Sequence, residues 1–128
     1  MLDTNVLISV ILFPNDRMNS LIYKATLDYQ LVLSSYIINE LLAVTERKFP
    51  DKKKDIDRFL AGLPYELVYT PKEQNCELFN IRDVKDYPVL YSAIIEDVAL
   101  FITGDNDFKD IEIDKPKIVT PSDFLEKY

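Results

Sequence analysis

Short runs of apolar and β-branched residues recur along this chain, near residues 1–3, 30–34, 66–70, 99–103 and 117–119, and each is followed by a longer stretch with helical period. Parallel strands need a crossover between them, usually a helix, so this alternation points to an α/β fold: helices on a mostly parallel sheet. The helical stretches run from Asn5 to Phe13, closed by Pro14-Asn15, and from a cap at Asp16 to about Tyr29. A third starts at Ser34 or Ser35 and carries Ile37, Ile38, Leu41, Leu42 and Val44 on one broad face. Asp51 to Leu63 follows, with Ile56, Phe59 and Leu60 as its apolar side. Asp86 is placed to cap the next helix, where Val89, Leu90, Ala93 and Ile94 point inward, and Thr120-Pro121 opens a short last one. A chain of 128 residues is expected to form one domain, 1–128, burying roughly 65–70% of the surface its unfolded form exposes.

In an open parallel sheet, ligands gather beyond the carboxyl ends of the strands. Asp3 and Asp105 follow apolar strands at that end, Asp86 begins a helix that starts there, and Glu40 lies at the flank of the helix after Ser34-Ser35. Carboxylates brought together repel by roughly 4 kcal/mol per pair at about 4 Å and an effective dielectric of about 20. A divalent cation between them would relieve that repulsion, and Asp107 is spaced to face the same ion as Asp105. Each acid also has a plainer reading. Asp3 suits a cap for the helix at Asn5, Glu40 a solvated edge, and Asp86 a cap, with Asp83 left to pair with Arg82 or Lys85. Thr103-Gly104-Asp105-Asn106-Asp107 reads equally as a polar turn in which Gly104 permits a sharp bend.

Composition removes whole classes of chemistry. With no His, neither Ser-His-Asp or Cys-His hydrolysis nor a His-ligated zinc site can be built from this chain. Its single Cys, Cys76, permits no intrachain disulfide and is expected to be a small buried hydrophobe. Hydrolysis would fall to carboxylates, and Asp plus Glu number 22. The net charge of −7 opposes nucleic-acid binding, but two bound divalent cations would cancel more than half of it and reverse the potential in a cleft. Arg47, Lys48, Lys52, Lys53 and Lys54 form the one dense basic stretch. Lys52, Lys53 and Lys54 are the candidates for phosphate contact, against the simpler reading of a solvated face. No long apolar run or secretion signal is present, so a cytoplasmic protein with no membrane contact is expected.

Taken in order, Asp3-Thr4-Asn5-Val6-Leu7-Ile8-Ser9, Ser35 to Leu42, Asp83 to Ala93, Thr103 to Phe108 and Val119-Thr120-Pro121-Ser122 resemble the PIN-domain toxins of prokaryotic toxin–antitoxin pairs. The resemblance implies an α/β/α sandwich and Mg²⁺- or Mn²⁺-dependent cleavage of single-stranded RNA. It also implies a cognate antitoxin and leaves room for a homodimer. Asp3, Glu40, Asp86 and Asp105 match its acidic quartet, Asp107 its additional Asp, and Asn5 and Thr103 the polar residues that orient the cluster. On this reading Asp3 and Asp105 hold the main ion, while Glu40 and Asp86 complete the site or hold a second. The family's first strand is several residues longer than the two that precede Asp3 here, and a truncated strand would be weakly held and would position Asp3 poorly. Two other readings compete. One is a PIN-like module without activity that works through protein contacts. The other is a haloacid-dehalogenase type of phosphatase, which would need a second Asp where Asn5 stands.

Overall fold

Asp3 leaves the sheet in extended conformation and its carboxylate accepts the Thr4 amide, so the first helix, α1 (Thr4–Leu12), begins one residue before Asn5. In the computed structural model, which describes residues 1–128, α2 (Asp16–Leu27) follows after Pro14. Its cap is Asn15 rather than Asp16. The extended backbone after Pro14 brings the Asn15 side-chain Oδ1 to the Met18 amide at 2.8 Å, while Asp16 stands in the first turn, where its charge meets the positive end of the helix.

Strand β1 (Val32–Ser34) runs directly into α3 (Ser35–Lys48), with the Ser34 hydroxyl accepting the Ile37 amide. Helix α4 (Lys53–Gly62) starts two residues later than Asp51, because Pro50–Lys52 forms a 3₁₀ turn first. Strand β2 (Glu66–Val68) precedes a long irregular stretch. A 3₁₀ turn at Val84–Asp86 then leads into α5 (Tyr87–Ile95), β3 (Leu100–Ile102), β4 (Lys117–Val119) and α6 (Pro121–Lys127). Thr120 caps α6 through the Asp123 amide, as its sequence indicates.

Every strand pairing is parallel. β1 pairs with β2 in the register Val32↔Glu66, and β3 with β4 in the register Leu100↔Lys117. The first strand, expected over residues 1–3, is a single bridge from Leu2 to Ile102. Asp3 already turns into α1, which ends the ladder one residue past Leu2. Backbone bonds nevertheless hold it: the Met1 amine donates to the Leu100 carbonyl, the Ile102 amide to Met1, and the Asp3 amide to Ile102, all at 2.9–3.0 Å. Burial pushes the Met1 amine down to about 5.

α1 packs against α2, α3 and α4, and α3 also meets α5 and β1. One continuous apolar core joins Leu2, Leu7, Leu33, Ile37, Leu41, Ile56, Leu90 and Phe101, none of which is exposed. Two expectations fail here. Cys76 is exposed, because it falls in the irregular stretch after β2 and not on an apolar face. Gly104 has no left-handed backbone, and a Cβ there would meet nothing within 4 Å, so the turn does not require glycine. No helix is long and apolar enough to cross a membrane.

Candidate metal centre

The Leu2 bridge and β3 set Asp3 beside Thr103, one residue past the end of β3. Asp3 is buried, and its two carboxylate oxygens are both engaged: Oδ1 accepts the Thr4 amide at 2.8 Å and Oδ2 accepts the Thr103 hydroxyl at 2.7 Å. Far from being loosely placed, Asp3 is the most constrained acid of the cluster. The Thr103 hydroxyl also accepts the Asp105 amide at 3.0 Å, and Asp105 Oδ1 accepts the Asp107 amide at 2.9 Å. Asp105 thereby caps the 3₁₀ turn Asn106–Phe108, and buried Phe108 packs edge-to-face on Phe101 of β3, with ring centroids 5.1 Å apart. A core aromatic thus pins the turn that carries Asp105 and Asp107.

Asp86 arrives from the other side, and its role differs from the one expected. Asp83, not Asp86, caps the 84–86 turn, through the Lys85 amide at 3.0 Å. Asp86 has helical backbone and no capping bond, because that 3₁₀ turn already supplies the start of α5. Its carboxylate is therefore uncommitted. One oxygen each from Asp86, Asp105 and Asp107 lie within 4.8 Å of one another. Burial, then the charges of Asp105, Asp83, Asp3 and Asp107, push the Asp86 carboxyl up to about 7. Burial also raises Asp3; the bonds from Thr103 and Thr4 oppose it, and Glu40 and Asp105 add to it. Glu40, half-buried on α3, thus stands close enough to act on Asp3.

Three residues not singled out as site residues from the sequence belong here. The Tyr36 hydroxyl donates to the Lys85 carbonyl at 2.9 Å, tying the first turn of α3 to the Asp86 turn; burial, then Glu40, Asp86 and Asp83, raises its phenol. Its place directly after Ser35 was the only local sign. Arg82 was expected to answer Asp83, yet its Nη2 lies 2.7 Å from Asp107 Oδ1. No sequence rule pairs residues that far apart. Thr70 completes the scaffold: its amide donates to the Ser35 hydroxyl, and its own hydroxyl accepts the Tyr36 amide and the Ser92 hydroxyl. It thereby links the start of the helix that bears Glu40 to the middle of the helix that follows Asp86.

Asn5, Ser9, Arg82, Asp105 and Asp107 line an open, mostly polar cleft of about 550 Å³. Lys52, Lys53 and Lys54 are exposed and in no ion pair. They follow the far end of α3, which lies on the order of 12 Å along the helix from Glu40, and Lys53 lines a hollow with Leu42, Thr45 and Glu46. The donor set fits a hard divalent cation: it is all oxygen, its carboxylates repel one another, and only Arg82 answers them in an ion pair.

The family profile described as PIN domain matches residues 1–107, a span that includes all five acids. The chain belongs to the PIN-domain family. Its fold also resembles a chain in the crystal structure of VapBC2 from Rickettsia felis bound to a DNA fragment from their promoter, with a TM-score of 0.72 and 21% identity. The match covers 93% of this PIN-domain protein and 95% of that chain, and shows the same α/β/α sandwich. No curated protein matches it in sequence.

Proposed function

We propose that this PIN-domain protein is a metal-dependent endoribonuclease that hydrolyses phosphodiester bonds of single-stranded RNA, acting as the toxin of a toxin–antitoxin pair. The carrying observation is the meeting of Asp86, Asp105 and Asp107 within 4.8 Å beside a buried, doubly hydrogen-bonded Asp3. Asp86, Asp105 and Asp107 are the residues in reach of a shared Mg²⁺ or Mn²⁺. A carboxylate has about four lone-pair sites, so Asp3 retains capacity to ligate after accepting its two bonds, and Glu40 closes the α3 side. When bound, such an ion supplies an activated water and offsets charge on the phosphoryl and leaving oxygens. Thr103 orients Asp3 and Asp105 together, Asn5 lines the cleft, and Tyr36 fixes the Asp86 turn against α3. Lys52, Lys53 and Lys54 bind RNA phosphates away from the reacting bond.

The likeness to a chain of VapBC2 supports a protein antitoxin as partner. We further read the chain as one domain, cytoplasmic, and able to pair with a second copy. The test is cleavage of a single-stranded RNA by the purified protein with Mn²⁺, with Mg²⁺ and with EDTA, alongside a duplex control and an Asp105→Asn/Asp107→Asn variant. Cleavage should require metal and vanish in the variant while its circular dichroism is unchanged. Full activity in that variant would overturn the assignment. Absence of cleavage under every condition would leave the inactive, protein-binding PIN module as the better reading.

A further inference from the structure

We propose that Arg82 is a displaceable counter-ion of the metal centre: it holds Asp107 while the cleft lacks a divalent cation, and is released to bind the RNA phosphate when a cation takes that carboxylate. The phosphate half rests on the ribonuclease reading; the counter-ion half does not. Arg82 is the only basic side chain ion-paired with the acidic cluster, since the other pairs, Lys115–Asp97 and Lys127–Asp123, involve none of its acids. The pair is also asymmetric. The Arg82 side chain is 85% exposed and that of Asp107 only 15%. Water stabilises the guanidinium when it leaves, whereas the carboxylate, turned toward Asp86 and Asp105, has nowhere to go.

A divalent ion and a guanidinium on one carboxylate repel each other, so occupancy by one weakens the other. Asp107 is shared between both roles. Once freed, Arg82 does not drift away, because Asp83 caps the turn that follows it and the 84–86 turn is tied through Lys85 to Tyr36. Arg82 also lines the same cleft as Asn5, Ser9 and Asp105. A planar guanidinium donates two parallel hydrogen bonds to a phosphate, which an ammonium cannot do. The arrangement would keep one positive charge in the cleft in either state, first on the acids and then on the substrate.

The experiment uses the full chain, with Arg82→Gln and Arg82→Lys beside the wild type, and Mn²⁺ alone as the first probe. Mn²⁺ titrated into apo protein without RNA should bind Arg82→Gln about 3–10-fold more tightly than wild type, because its competitor for Asp107 is gone. Arg82→Lys, which keeps the charge, should stay near wild type. In steady-state cleavage both variants should show a raised KM for single-stranded RNA with a smaller change in kcat, since the bidentate phosphate contact is lost in each. Unchanged or weaker Mn²⁺ binding by Arg82→Gln would overturn the counter-ion role, and an unchanged KM would overturn the phosphate role. Tighter Mn²⁺ binding by Arg82→Gln in a protein whose wild type cuts no RNA would sustain the counter-ion and refute the ribonuclease reading, so the two failures are separable.

Discussion

Asp86 is the acid whose carboxyl is pushed furthest from its ordinary range, and replacing it with Asn should stabilise the metal-free protein at neutral pH. Its carboxyl rises from 3.8 to about 7, burial leading and the neighbouring carboxylates adding to it. Because the folded-state value is raised, the folded protein holds a proton that the unfolded chain loses between those two values. Stability contributed by that proton is complete below pH 3.8 and is lost as pH rises through about 7. At 1.36 kcal/mol per unit the face value is about 4 kcal/mol. Asp86 is only half-buried, so solvent screening reduces this to about 2 kcal/mol, roughly 6–8 °C in melting temperature for a chain of this size. The assay is urea unfolding of wild type and Asp86→Asn in EDTA at pH 4 and at pH 8. Other carboxylates titrate in both proteins and largely cancel in the difference. The variant should match wild type within about 0.5 kcal/mol at pH 4 and exceed it by about 2 kcal/mol at pH 8. With Mn²⁺ at a hundredfold excess over its dissociation constant, the wild type should gain about 2.7 kcal/mol and the variant less. A variant destabilised equally at both pH values would show that Asp86 is not held among like charges, and the shared centre would fall with it.

Thr103→Val removes the hydroxyl that donates to Asp3 and accepts from Asp105; unfolding should show a loss of about 1–3 kcal/mol and Mn²⁺ binding should weaken, whereas wild-type stability would mean the hydroxyl does not orient the pair. Tyr36→Phe loses the bond to the Lys85 carbonyl and should cost about 1 kcal/mol while lowering Mn²⁺ affinity. Unaltered affinity would detach Tyr36 from the Asp86 turn. Lys52→Ala, Lys53→Ala and Lys54→Ala combined should reduce the salt slope of RNA binding by about 2 and leave the Mn²⁺ response of melting intact. An unchanged slope would return that stretch to solvated surface.

The elements of this fold were legible wherever the deciding residues sit within one turn or one strand of each other. Ser34 and Thr120 cap the helices they precede, and the faces of α3 and α5 bury the side chains their spacing selects, because helical period and capping are local properties of the chain. The five acids could be picked out as candidates from order and residue type, and the structure brings the carboxylates of three of them, Asp86, Asp105 and Asp107, within 4.8 Å. The choice of Asp83 over Asp86 as cap is also local, a bond to the amide two residues on, whereas tertiary structure alone decided that Arg82 answers Asp107 instead of its neighbour and that Thr70 ties the start of α3 to the middle of α5. It also held Asp3 firmly on a one-residue bridge, through Thr103 from a hundred positions away. The physical reason is common to these three long-range contacts. A charged or hydroxyl group takes the partner the folded backbone brings within about 3 Å, and for groups on different elements that distance is set by the packing of the core between them, which no local pattern records.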